Sequence, residues 1–171
     1  LLKQVFIGIG SNLGDRFENI QTAIKKIGEF ERTKVLRVSP FYETIPVGFE
    51  SVNLFLNGVI EIETDLIPSL LLEKLLLIEI KLGRTREVNQ GYFDRPIDLD
   101  ILIYDDLILK SEELIIPHPE ISKRLFVLTP LRDLCPNLII PELNKNINEL
   151  YLKAVNDKSN QDKHLRIIEI V

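Results

Sequence analysis

Hydrophobic positions along the chain follow two spacings, one for strands and one for helices. Val5-Phe-Ile-Gly-Ile-Gly10 is an apolar run of strand length, and Ser11-Asn-Leu-Gly14 reads as the turn that leaves it. Phe17, Ile20, Ile24 and Ile27 then fall on one helical stripe, with Asp15 as N-cap, Glu18 at the capping-box position and Gly28 as the stop. Residues 35–42 read as a second strand interrupted by Pro40, which favours a sheet edge or a strand end. After a loop over 44–53, residues 54–63 predict a third strand, with Phe55 and Asn57 on one face and Leu56, Gly58 and Ile60 on the other. A loop of that length most easily joins antiparallel neighbours. A helix follows from Pro68 to about Leu82, before Gly83; it is apolar on most sides and so is expected to be deeply packed. Residues 97–104 have the apolar, β-branched character of a buried strand, and Leu107 to Lys110 that of a short one. Residues 121–133 read as a helix, and Ile147, Leu150, Tyr151 and Ala154 mark another. Residues 156–164 form a polar linker and 166–171 a terminal strand. Strands and helices mix without the strict alternation of a parallel sheet. The expectation is an α+β fold in the ferredoxin-like order, an antiparallel sheet with helices packed on its faces. No repeat or second domain interrupts the chain, so residues 1–171 are read as a single domain, with 156–171 as linker and tail.

Composition narrows the function classes. The chain has 171 residues, 45% of them hydrophobic, enough for one sizeable core. A net charge of −5 argues against a general nucleic-acid or membrane surface, so any basic site must be local. The single cysteine, Cys135, excludes an internal disulfide, fits a reducing compartment and sits among apolar residues as a small filler. The most apolar stretch, 66–82, is broken by Glu73, Lys74, Glu79 and Lys81, which argues against a membrane span. With no signal peptide, a cytoplasmic location is expected. No Met occurs, even at position 1, so the expectation is that something precedes Leu1.

The chemistry concentrates in Arg95-Pro-Ile-Asp-Leu-Asp100. Alternation along a strand puts Asp98 and Asp100 on the same face, about 7 Å apart, with Leu99, Ile101 and Ile103 on the other. Two neighbouring carboxylates repel unless a cation lies between them; the simpler reading is a strand end rising into water with two hydrated aspartates. Arg95 beside the pair favours a phosphate ester held through Mg2+. Arg84, Arg86 and Arg95 gather three guanidiniums on the connection that enters the strand, which favours polyphosphate over simple solvation. Asn57 offers either a solvent-facing amide or a donor and acceptor for a heterocycle. His118, fixed between two prolines, is either a positioned ligand contact or a turn residue; with no second His nearby it is not a metal ligand.

Together these segments resemble the 6-hydroxymethyl-7,8-dihydropterin pyrophosphokinase family of the folate pathway. The resemblance runs from Ile7-Gly-Ile-Gly-Ser-Asn-Leu-Gly14 to about Pro141. It is carried by Phe41-Tyr-Glu-Thr-Ile-Pro-Val-Gly48, Phe55-Leu-Asn57, Gly83-Arg-Thr-Arg86, Arg95-Pro-Ile-Asp-Leu-Asp-Ile101 and Pro117-His118. It implies transfer of a pyrophosphoryl group from ATP to the pterin hydroxymethyl oxygen, with release of AMP. It further implies two Mg2+ ions on Asp98 and Asp100, and catalytic roles for Arg84 and Arg95 beside them. ATP would be bound by Glu79, Arg84, Arg86, Arg95, Ile101, His118 and Arg124, and the pterin by Thr44, Val47, Phe55, Asn57, Tyr92 and Phe126. A partner in the same pathway, fused or separate, fits the same resemblance. Departures fall in loops and pockets: Tyr92 stands for the usual Trp in a loop one residue longer, Ile45 for a proline, Pro119 for a frequent Tyr and Leu125 for a common Gly. They bear on loop geometry and affinity more than on chemistry. Two other classes compete. A non-catalytic ligand-sensing module would have no reason to gather two Asp and several Arg around one cleft, and a two-metal phosphohydrolase would need further His or Asp ligands that form no obvious cluster.

Overall fold

A computed structural model describes residues 1–85, 93–157 and 166–168. Its centre is an antiparallel sheet. β1 (Lys3–Ser11) lies between β4 (Phe55–Thr64) and β5 (Asp98–Tyr104), and β4 carries both β2 (Thr33–Val38) and β3 (Phe41–Thr44) along its other edge. Two helices, α1 (Arg16–Gly28) and α2 (Pro68–Lys81), connect these strands, which completes the ferredoxin-like order expected from the sequence. The C-terminal part adds α3 (Leu125–Leu134) and α4 (Ile147–Asn156). Two small hairpins accompany them, β6 (Leu109–Lys110) with β7 (Ile115–Ile116), and β8 (Ile139–Ile140) with β9 (Lys145–Asn146). A last strand, β10 (Arg166–Ile168), pairs with β3.

Each face of the sheet has its own core. Val5, Ile7, Ile9, Ile60, Ile62, Leu99 and Ile101 face α1 and α2 and pack on Ile20, Ala23, Leu71 and Leu75. Phe6, Val59, Leu102 and Ile103 face the other way, onto Leu125, Leu128, Leu131, Ile147 and Leu150 of α3 and α4. Asp15 caps α1 as expected, accepting the Glu18 N–H at 3.0 Å. Among the described residues no helix is long and apolar enough to cross a membrane.

The structure departs from the sequence reading in four places. The interrupted strand at 35–42 is two strands, β2 and β3, separated at Ser39-Pro40. Both remain on β4 because Ser39 bridges the gap, its N–H donating to the Val59 carbonyl and its Oγ accepting the Val59 N–H, each at 2.9 Å. Ile103 does not share a face with Leu99 and Ile101. The β1–β5 register passes from Ile7↔Ile101 to Phe6↔Ile103, so Leu102 is an extra residue, and the bulge turns Ile103 towards α3. α2 is not packed all round: Leu71, Leu75 and Ile78 are buried, whereas Leu70, Leu77 and Ile80 are exposed. Finally, α3 starts at Leu125 and not at Ile121, because residues 119–123 form turns and Arg124 is its N-cap.

Candidate active site

The site lies where β5 begins, at the end of the sheet reached by the loop after β3 and the N-terminus of α3. β5 is a sheet edge, yet both its faces are covered by helices, and the His118 N–H donates to the Leu102 carbonyl at 2.9 Å along its outer side. Strand alternation sends Asp98 and Asp100 to the α3 face and Leu99 and Ile101 into the α1–α2 core.

The two aspartates have opposite environments. Asp98 Oδ1 accepts from Arg84 Nη1 at 2.5 Å, and its Oδ2 accepts from Arg95 Nη2 at 2.6 Å. Burial opposes charge on Asp98, but Arg95 and Arg84 outweigh it and hold the carboxyl below its usual range. Asp100 accepts no side-chain hydrogen bond among the described residues. Burial, with Asp98 and Glu79 nearby, pushes its pKa up to about 7, and Arg124 and Arg95 only partly offset this. Glu79 is 1% exposed. Its Oε1 accepts both the Leu99 N–H, at 2.8 Å, and Arg84 Nη1, at 2.7 Å. α2 thus ties its last buried turn to β5 and fixes the arginine in between.

Two depressions meet at Asp100. The first is lined by Thr44, Ile45, Val47, Phe49, Phe55, Asn57, Phe126, Arg95, Arg124, Asp98 and Asp100. Asn57 Nδ2 donates to Thr44 Oγ1 at 2.8 Å on its floor. Arg95 lies 5.0 Å over the Phe55 ring, Phe49 meets Phe55 edge-on at 6.2 Å, and Arg124 lies 5.6 Å over Phe126. The second, an open groove, runs from Asp100, Leu99 and Ile101 past Leu72 and Leu76 to Glu112, Glu113, Leu114, Ile115, His118 and Pro119. Burial and then Arg124 lower the His118 pKa, which favours a neutral imidazole.

Of the residues singled out in the sequence, Thr44, Val47, Phe55, Asn57, Phe126, Arg95, Arg124, Asp98 and Asp100 share the first cleft, while Ile101 and His118 line the groove. Glu79 and Arg84 line neither; they stand behind Asp98 as a charged support. Arg86 and Tyr92 lie outside the described residues. Phe49, the groove residues Leu72 and Leu76, and Gly10 were not singled out. A Cβ on Gly10 would sit 2.3 Å from Asn57 Oδ1, so the glycine clears room for that amide. The glycine-rich run at 8–14 carried this signal.

The donor set fits a hard divalent cation. Asp98 and Asp100 offer carboxylate oxygens on one face, one of them short of partners and repelled by its neighbours, a cost that a cation relieves. Among the described residues no third His, Cys, Asp or Glu joins them.

Residues 6–136 match the family model of 7,8-dihydro-6-hydroxymethylpterin-pyrophosphokinase (HPPK). The chain is similar to the 2-amino-4-hydroxy-6-hydroxymethyldihydropteridine pyrophosphokinase of Bacillus subtilis, with 45% identity over 130 residues, covering 76% of this chain and 77% of that protein. It is similar too to the folic acid synthesis protein fol1 of Schizosaccharomyces pombe, 43% identical over 147 residues, 86% of this chain but 20% of that protein. Among solved structures, wild-type HPPK-DHPS of Plasmodium falciparum shares the fold with a TM-score of 0.74 at 15% identity, over 99% of this chain and 48% of that one. The chain therefore spans about a fifth of the fol1 relative and about half of the Plasmodium protein. On the family match and the Bacillus relative, the chain belongs to the 7,8-dihydro-6-hydroxymethylpterin-pyrophosphokinase family, the ATP-dependent diphosphokinases of folate biosynthesis.

Proposed function

We propose that this chain transfers the pyrophosphoryl group of ATP to the hydroxymethyl oxygen of 6-hydroxymethyl-7,8-dihydropterin, releasing AMP, with Asp98 and Asp100 as ligands of two Mg2+ ions. The observation that carries this reading is the place of Asp100, which lines both the aromatic cleft and the groove. A flat heterocycle in the cleft and a nucleotide in the groove would meet there. Mg2+ bound at the pair supplies charge neutralisation on phosphate oxygens and lowers the pKa of the substrate hydroxyl.

The protein's own part is positioning. Phe55 and Phe126 offer apolar ring faces to the pterin, while Asn57, backed by Thr44, reads its donor and acceptor edge. His118 and Ile101 hold the nucleotide in the groove. Arg84, Arg86, Arg95 and Arg124 supply planar donors for the triphosphate, and Glu79 orients Arg84. Attack at the β-phosphorus instead of the γ is set by where those donors fix the chain of phosphates. Arg84 and Arg95 both hold Asp98 here, so phosphate binding trades these ion pairs for pairs with substrate oxygens. Tyr92 joins the pterin wall on this reading. The fused HPPK-DHPS relatives support a second folate enzyme in the same chain or beside it, and the single free Cys135 fits a cytoplasmic setting.

The test is product analysis with Mg-ATP and 6-hydroxymethyl-7,8-dihydropterin. Pterin-dependent AMP is expected. Pterin-dependent ADP would replace the reaction with γ-transfer, and pterin-independent loss of ATP would replace it with hydrolysis. Asp98→Ala and Asp100→Ala should each lower turnover on the order of a thousandfold while the circular dichroism spectrum stays unchanged. Normal turnover in both variants would remove the metal assignment.

A further inference from the structure

Two segments far apart in sequence converge on one carboxylate, carried by a third, at the rim of the aromatic cleft. Asp94 Oδ1 accepts from Asn12 Nδ2 at 2.6 Å, and its Oδ2 accepts from Ser51 Oγ at 2.9 Å and from Asn53 Nδ2. Asn12 completes the junction: its Oδ1 accepts the Arg95 N–H at 2.8 Å and its own N–H donates to the Arg95 carbonyl at 3.2 Å. Ser51 Oγ also accepts the Asn53 N–H at 3.0 Å. These bonds fasten the loop over 45–54 to the segment that carries Arg95, with the end of β1 as the fixed post. Arg95 in turn donates to Asp98 and lies over Phe55, the first residue after that loop.

We propose that Asp94 is a positioning residue, a latch that makes the wall of the pterin cleft and the Arg95 segment one mechanical unit. The proposal rests on the reading of that cleft as the pterin site. A ten-residue loop without strands or helices loses backbone entropy for each residue it orders, and hydrogen bonds to an ionised group offset part of that. Three donors converge on both oxygens of Asp94, and the bonds from Ser51, Asn53 and Asn12, helped by Arg95, hold its carboxyl below the usual range against the effect of burial. The residue type matters as much as its size. An amide at this position would turn an NH2 group towards at least one of the three donors, so Asn should hold the junction less well than Asp.

The experiment compares wild type with Asp94→Ala, Asp94→Asn, Asn53→Ala and the Asp94→Ala/Asn53→Ala double variant. Two readouts are taken: amide hydrogen exchange of the ligand-free proteins, and steady-state kinetics. Exchange over 45–54 should rise in every variant. The pterin KM should rise about tenfold in Asn53→Ala, the loss of one charge-assisted hydrogen bond, and further in Asp94→Ala, which loses three, while the ATP KM stays within about twofold. The double variant should be no worse than the worse single, because both remove the same contact. Unchanged exchange over 45–54 in Asp94→Ala and Asp94→Asn would overturn the latch, as would losses that multiply in the double variant. If Asp94→Ala does not fold, Asn53→Ala and Ser51→Ala probe the same contact from the loop side. Hydrogen exchange needs no substrate. A wild type that makes no pterin-dependent AMP therefore removes the pterin reading while the latch is still judged on exchange alone.

Discussion

At the scale of single residues, the site is governed by close fit and by charge. Gly10 carries the fit. An added methyl group would force Asn57 Oδ1 from its place, and with it the hydrogen bond to Thr44 Oγ1 on the cleft floor. Gly10→Ala is expected to fold and to raise the pterin KM about tenfold, near the value of one hydrogen bond, with ATP binding little changed. Steady-state kinetics with each substrate varied in turn will separate the two. Asp100 carries the charge. Its folded-state pKa of about 7 exceeds the ordinary carboxylate value, so between about pH 4 and 7 the native state binds more protons than the unfolded one. Stability therefore falls as pH rises through that window and levels off above it. Asp100→Asn, which cannot ionise, should raise Tm at pH 8 and leave it nearly unchanged at pH 4 in the metal-free protein. Equal shifts at both pH values would mean that burial of charge is not what Asp100 costs the fold.

At the scale of elements, α2 shows how one helix separates packing from support. Leu71, Leu75 and Ile78 face the sheet, and the same side delivers Glu79 to Arg84 and to the Leu99 amide. Leu75→Ala should cost about 2–5 kcal/mol in urea unfolding, whereas Leu77→Ala on the exposed side should stay within about 0.5 kcal/mol. The sequence could not separate these sides, because a helix apolar all round looks buried all round. What it did show was local. β1, β4 and β5 were visible as apolar runs, α1 as a capped stripe, and the Asp98–Asp100 pair as a matter of alternation. The bulge at Leu102 was hidden because Leu102 and Ile103 are both apolar, and an extra residue among apolar neighbours changes no pattern. The junction at Asp94 was hidden for another reason. Its partners lie 82, 43 and 41 positions away, and each, read alone, is an ordinary polar loop residue.

At the scale of the whole molecule, the cleft and the groove depend on elements that only the folded sheet brings together. β5 supplies both carboxylates, α2 stands behind Asp98, α3 opens with Arg124 and Phe126, and the β3–β4 connection contributes the aromatic wall. Few of these groups are neighbours in the unfolded chain, so a ligand that uses them together binds the native state alone and stabilises it by mass action. Mg-ATP at about a hundred times its Kd should then add about 2.7 kcal/mol. For a chain of this size each kcal/mol moves Tm by about 2–4 °C, so the expected shift is roughly 5–11 °C. On the proposed reading, Mg2+ accounts for a separable part of it. Without Mg2+, the triphosphate would meet the carboxylate of Asp100, whose pKa burial, and then Asp98 and Glu79, already push up. Excess EDTA should therefore remove most of the shift in wild type and change little in Asp98→Ala, where the metal-dependent part is already lost. A shift from ATP that is the same with and without EDTA would place the nucleotide on the arginines alone and leave the two aspartates without a metal to hold.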